Sequence, residues 1–207
     1  MSSINLASDE NAGKPAPNVK IPPRDRILAA ASELFYTHGI RAVSVDAIAE
    51  AADTNKMTLY RHFASKDVLV AEYLRGVAQE YTSQWNAVAA AHAGNPEAHL
   101  KAWIDHVAAA HNTEDDRGCP FANAAVELPE KDHPARAVIE SVKQTHREKL
   151  AELCRRARYR DPENMADAIV LLFEGACIHR QCANACGSTS RVFDMIRSLV
   201  ANHAKLD

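Results

Sequence analysis

Glycine and proline are scarce in this 207-residue chain, at seven and nine, and a turn-rich β fold needs more of both. Alternating β-branched stretches, internal repeats and low-complexity runs are also missing, which leaves helices as the available architecture. No apolar run approaches the roughly 18 residues that a membrane span requires. The N-terminus lacks the basic start, apolar run and small-residue cleavage site of a secretory leader, so a soluble cytoplasmic protein is expected. The five cysteines, Cys119, Cys154, Cys177, Cys182 and Cys186, are odd in number and crowd towards the C-terminal third. That distribution is no disulfide framework and reads as reduced thiols. An excess of basic residues is absent as well: 24 Lys and Arg face 27 Asp and Glu, for a net charge of −3. Any contact with nucleic acid must therefore come from a local patch. Neither a Gly-rich phosphate loop, nor Gly-x-Ser-x-Gly, nor His-Glu-x-x-His is present, and the ten histidines are scattered. No enzyme and no bound cofactor are therefore expected, and none of these signatures calls for a metal.

The chain does contain helical periodicity. Residues 1–20 mix Ser, Asn, Asp, Gly and Pro without any, and are expected to form a disordered tail. From Arg24, the apolar positions Ile27, Leu28, Ala31, Leu34 and Phe35 share one helical face, and Gly39 ends that helix. Ser44 is placed to cap a short second helix carrying Val45, Ile48, Ala49 and Ala52. After a polar break at Asp53-Thr54, Asn55 caps a third helix reaching about His62. Ser65 caps a fourth running through Leu69 and Tyr73 towards Trp85. Two short helices joined by a tight turn and braced by longer ones form a helix-turn-helix. Breaks at Gly94-Asn95-Pro96, Arg117-Gly118-Cys119-Pro120, Asp132-His133-Pro134, Asp161-Pro162 and Gly187-Ser188 then delimit helices near 96–112, 121–128, 134–158, 162–184 and 188–204. The expected fold is all-α, with a head at 21–68 and a helical body at 69–207.

Charge singles out one segment of the head. Over residues 1–68 eight cations balance eight acids, yet between Thr54 and Lys66 stand Lys56, Arg61, Lys66 and His62 with no acidic residue. On a helix beginning at Asn55, Leu59 and Phe63 lie four apart and face inward. Lys56, Met57, Tyr60 and Arg61 then project towards a DNA groove or its walls. Lys56 and Arg61 suit guanine edges or phosphates, Met57 an apolar base contact, and Tyr60 and His62 phosphate oxygens.

Residues 41–69, RAVSVDAIAEAADTNKMTLYRHFASKDVL, resemble the DNA-binding signature of the TetR family of transcriptional regulators. The resemblance lies in Gly39, in Val45 with Ile48-Ala49, in Thr58-Leu59-Tyr60-Arg61-His62-Phe63, and in Ser65-Lys66-Asp67 with Leu69. It implies a repressor that binds a double-stranded operator as a homodimer and leaves it when a small-molecule effector binds. It also implies backbone-anchoring roles for Ser44, Thr58, Tyr60, His62 and Lys66. Asp53 and Met57 depart from the pattern, since the family usually has glycine at both positions.

The resemblance extends into the body through Arg117-Gly118-Cys119-Pro120-Phe121 with Asn123-Ala124 and Glu127, a run shared by a subgroup of that family. It implies an effector pocket between helices, for which Trp103, His106, Phe121, Asn123, Glu127, Phe173 and Glu174 are the candidate lining. It also implies a dimer interface on segments 162–184 and 188–204. Their apolar faces carry Ala166, Ile169, Val170, Phe173, Ala176 and Cys177, and Val192, Met195, Ile196, Leu199 and Val200; burial within one subunit would produce the same pattern. Glu174 interrupts the run Ile169–Phe173 and needs a partner if buried, either an Arg or helix amide or a ligand. Two variants stay open. Cys119 can serve as a reactive thiol, or Cys177, His179, Cys182 and Cys186 can bind a metal. A helical small-molecule carrier is the remaining alternative, but it has no use for the cationic head.

Overall fold

The structure is a computed structural model that describes residues 21–111, 117–182 and 186–206. The segment 1–20, expected to be a disordered tail, lies outside the described residues. Nine helices are present among them: α1 (Pro23–His38), α2 (Val45–Ala51), α3 (Lys56–His62), α4 (Lys66–Ala91), α5 (Pro96–Ala110), α6 (Pro120–Glu127), α7 (Pro134–Arg156), α8 (Pro162–Cys182) and α9 (Cys186–Asn202). The only extended pairing among described residues is one isolated bridge between Tyr159 and Lys205.

Helix boundaries follow local chemistry. Pro23, Pro96, Pro120, Pro134 and Pro162 each stand at the first helical position, where the missing N–H costs nothing and the fixed φ already suits a helix. Side-chain oxygens of Ser44, Asn55, Ser65 and Asn95 accept from the backbone N–H three residues on, capping α2 to α5. Gly39 ends α1 at φ 87° and ψ 153°, and Asp53 makes the turn before α3 at φ 48°. The aspartate thus adopts a left-handed backbone, a conformation short polar residues tolerate.

Two boundaries differ from expectation. The fourth helix continues six residues past Trp85 to Ala91, because the alanine-rich stretch between Asn86 and Ala91 contains no breaker. The last helix begins at Cys186, so Gly187 and Ser188 occupy its first turn and do not interrupt it.

The buried side chains form two clusters. The first joins Ile27, Ala31 and Phe35 of α1, Ile48 of α2, Leu59 of α3 and Leu69 to Leu74 of α4 with Phe121 and Ala124 of α6 and Ala135 and Ile139 of α7. The second fills the body with Trp85, Leu100, Trp103, Ile104, Leu150, Cys154, Met165, Ile169, Phe173, Phe193, Ile196 and Val200. Helix α7 runs through the centre, packed on α4, α5 and α8, while α9 closes the far side against α8 and α5.

This packing corrects the expected interface residues. Ala166, Ile169, Phe173, Ala176 and Cys177 of α8, with Ile196 and Val200 of α9, are buried inside the single chain; Val170, Val192 and Leu199 are packed partly against the same core. Periodicity marked a face that serves the subunit's own core. Leu171, Ile178 and Met195 are the large apolar side chains on α8 and α9 that stay exposed, at 67%, 46% and 58%.

Candidate nucleic-acid interface and interhelical cavity

Helix α3 is held from below by Leu59 and Phe63, 0% and 1% exposed. Its first turn is closed by Asn55 Oδ1, which accepts from the Thr58 N–H at 2.9 Å. With the inner side clamped, Met57, Tyr60, Arg61 and His62 stand exposed on the outer side, and Thr58 is half-buried. Ser44 is exposed at the start of α2, with its oxygen accepting from Ala47 N at 3.1 Å and its own hydroxyl proton still available.

Two of the expected cations are engaged within the head. Lys56 Nζ lies 3.1 Å from Asp46 Oδ2 in an exposed pair, which weakly tethers it to α2. Lys66 is half-buried: its ammonium donates to the Val43 carbonyl at 2.6 Å and lies 5.9 Å from the Phe35 ring centroid. Burial pushes this lysine below its ordinary pKa, with Asp67 and Glu127 pulling the other way. Lys66 therefore ties the start of α4 to the α1–α2 connection.

Behind the head a cavity of about 430 Å³ opens among α1, α4, α5, α6, α7 and α8. Of the candidate lining residues, His106, Phe121, Phe173 and Glu174 form part of its wall. Trp103 does not: it is wholly buried one layer behind, stacked on His106 with centroids 5.4 Å apart. Asn123 and Glu127 also lie elsewhere. Asn123 donates to Arg117 O at 2.8 Å and accepts from Gln181 Nε2 at 2.8 Å. Glu127 accepts from the Arg41 N–H at 2.8 Å, and its carbonyl accepts from Arg41 Nε at 2.6 Å. Both were candidates because they stand in the run that resembles the family subgroup. Only the N-terminal turn of α6 lines the cavity; its C-terminal end abuts the head.

Several wall residues escaped sequence reasoning. Tyr36 reaches the cavity from α1; its hydroxyl accepts from Arg117 N at 2.9 Å and lies 3.4 Å from Gly118 O, while the Arg117 side chain donates to Thr37 O at 2.5 Å. The Tyr81 hydroxyl lies 2.8 Å from His146 Nε2. Burial, then Lys143 and Lys149, push that imidazole down to about 4, so the phenol–imidazole pair is uncharged at neutral pH. Lys143 supplies the partner that Glu174 requires, at 2.7 Å, and its Nζ lies 3.8 Å from Cys119 Sγ. Burial alone would lower this ammonium's pKa, but Cys119 and Glu174 together hold it above the ordinary value. A lysine on α7 takes the role that sequence reasoning assigned to arginine or a helix amide.

The wall is thus largely aromatic and apolar, with the Lys143–Glu174 ion pair, the phenol–imidazole pair and the Glu80 carboxylate, which accepts from Gln84 Nε2 at 3.3 Å, among its polar features. Apolar walls with a few placed polar groups are the usual make-up of a small-molecule pocket. No cluster of three potential metal ligands occurs among the described residues. Cys177 is buried towards the cavity, 3.5 Å from His111 Nε2, whereas His179, two residues on, is exposed. The side chains of Cys182 and Cys186 lie outside the described ones.

Residues 27–73 match the family profile of bacterial regulatory proteins of the tetR family, and residues 96–189 that of the LmrA/YxaF-like transcriptional regulator C-terminal domain. Among curated proteins, the transcriptional repressor KstR2 of Rhodococcus jostii is 37% identical over 67 residues, 32% of this chain and 33% of that protein. The regulator QacR of Staphylococcus aureus is 34% identical over 62 residues, 30% and 33% of the two chains. The chain spans about a third of the length of these relatives. Among solved structures, the regulator SCO4454 of Streptomyces coelicolor superposes with a TM-score of 0.81 at 24% identity over 87% of this chain and 95% of that one. A putative regulator of Streptomyces avermitilis gives 0.72 at 26% identity, over 86% and 99%. One from Saccharomonospora viridis, solved in complex with choline, gives 0.76 at 18%, over 88% and 98%.

Proposed function

Because the chain belongs to the TetR family of transcriptional regulators, we propose that it is a dimeric repressor whose α3 enters the major groove of a pseudo-palindromic operator and whose cavity binds a small effector that releases it. The observation that carries this reading is the construction of α3. It is capped by Asn55 and clamped by Leu59 and Phe63, and it presents Tyr60, Arg61 and His62 outward in a stretch without a carboxylate. Arg61 donates to base edges or phosphate, and Tyr60 and His62 anchor the backbone with Ser44 and Thr58.

One such helix reads few base pairs. Two related by a dyad reach successive grooves about 34 Å apart. Leu171, Gly175 and Ile178 make an exposed stripe on α8, Met195 is exposed on α9, and the glycine leaves open space for a close approach. That stripe is the part of the 162–184 and 188–204 segments that pairs with a second subunit. Effector and operator are coupled by linkage, because the cavity wall and the head share residues, and in the proposed repressor the coupling is negative. Tyr36 belongs to both, and α6 runs from Phe121 at the cavity to Glu127 on Arg41.

Fluorescence anisotropy tests the reading, with DNA from immediately upstream of the gene, unrelated competitor DNA and a salt series. A preference of a hundredfold or more for the upstream fragment, weakened for all DNA by Tyr60→Ala, is the expected result, since specific binders exceed their non-specific affinity by at least about 10³. Equal, weak binding to both fragments overturns it.

A further inference from the structure

We propose that Met57 is a specificity-determining residue that reads the 5-methyl group of a thymine in each half-site. The proposal rests on the assignment of α3 as the DNA-reading helix, and names one contact within it.

Met57 is 84% exposed, more than any other large hydrophobic side chain on the described surface. It is the second residue of α3, two positions after the Asn55 cap, and residues at the N-terminal end of a recognition helix are those that meet base edges. The residue before it, Lys56, is drawn towards α2 by Asp46 at 3.1 Å, which leaves the thioether as the leading side chain of the turn. Arg61 lies four residues on from Met57, on the same side of the helix, and no acidic residue occurs between Thr54 and Lys66, so the surface Met57 leads attracts a polyanion. A thioether neither donates nor strongly accepts a hydrogen bond. In the major groove the apolar partner it can cover is the thymine methyl, because the other base edges there present only donors and acceptors.

The test uses the full-length chain and duplexes selected by it from a random-sequence pool. Each thymine of the selected site is replaced in turn by deoxyuridine, which removes only the methyl group, and binding is measured for the wild type, Met57→Ala and Met57→Leu. The side chain touches solvent, so all three should melt alike by circular dichroism. The wild type should lose about fourfold in affinity at one thymine per half-site, the worth of one buried methyl group. Met57→Leu should keep that loss, and Met57→Ala should bind thymine and uracil duplexes equally. Indifference of the wild type to uracil at every thymine, an unchanged loss in Met57→Ala, or a selected site without thymine overturns the assignment while leaving DNA reading by α3 intact. A pool that yields no enriched sequence overturns both.

Discussion

Lowering the pH from 7.5 to 5 should cost the wild-type protein about 2 kcal/mol per subunit through His146 alone. In the folded chain this imidazole titrates at about 4, held down by burial and by the ammonium groups of Lys143 and Lys149, whereas the ordinary value is 6.5. Below 6.5 the unfolded chain binds a proton that the folded one refuses until about 4. Stability is therefore complete above 6.5 and is lost as the pH falls through the interval, reaching about 3 kcal/mol at its lower end. The burial is local: the Tyr81 hydroxyl lies 2.8 Å from Nε2, and the ring lies nearly parallel to Phe173, at 9° with centroids 6.3 Å apart. His146→Gln keeps a hydrogen-bonding partner for the phenol but cannot be protonated. Urea unfolding at fixed protein concentration, at pH 7.5 and 5.0, should give a pH dependence for this variant flatter than the wild type's by about 2 kcal/mol. Equal dependence in the two proteins, or a His146 proton resonance titrating near 6.5 in the folded state, would refute the reasoning.

Three further outcomes are expected. Gly39→Ala should destabilise the chain by about 2 kcal/mol in urea: φ 87° with ψ 153° is backbone that only glycine adopts readily, and the new Cβ would meet Glu127 Oε1 at 3.1 Å. A neutral change would show that the α1 end relaxes freely. Leu59→Ala, at a side chain with no exposure, should lower stability by about 3 kcal/mol and abolish DNA binding at temperatures where the wild type binds; retained affinity there would separate α3 from DNA recognition. Iodoacetamide at pH 7.5 should alkylate Cys119, half-buried on the cavity wall, well before Cys154, whose buried thiol is pushed up to about 12. Equal rates by peptide mass spectrometry in the native protein would contradict that order.

Local chemistry made the head readable in advance. Ser44, Asn55 and Ser65 precede apolar positions at helical spacing, and each is found capping its helix. The departure at Asp53 is absorbed by a left-handed φ. The body was legible as helices but not as a site, because periodicity reports which face of a helix is buried and not what lies opposite. Trp103 and His106, three apart, read alike in the sequence, yet one is in the core and the other on the cavity wall. Lys143 and His146 sit among charged residues of α7 and look like solvent-facing positions until α8 is packed over them. Asn123 and Glu127 lie three and seven residues beyond Pro120, where α6 has already turned from the cavity towards Arg41. The hydrogen bond from Lys66 to the Val43 carbonyl was equally out of reach of pattern, since the two are 23 residues apart.

The first buried cluster has a bearing on how such a protein can be taken apart. Its apolar contacts run from Ile27 to Leu74 and then resume at Phe121, Ala124, Leu128, Ala135 and Ile139. A fragment cut after residue 68 would leave Phe35 and the head's floor facing water where α4 and α6 had been. Grafting this head onto a different sensor therefore requires a seam that follows the packing, with α6 and the opening turns of α7 travelling alongside the helices they cover. Chimaeras joined by sequence position alone would inherit a mismatched floor, and their failure would say nothing about whether the donor head can recognise its operator.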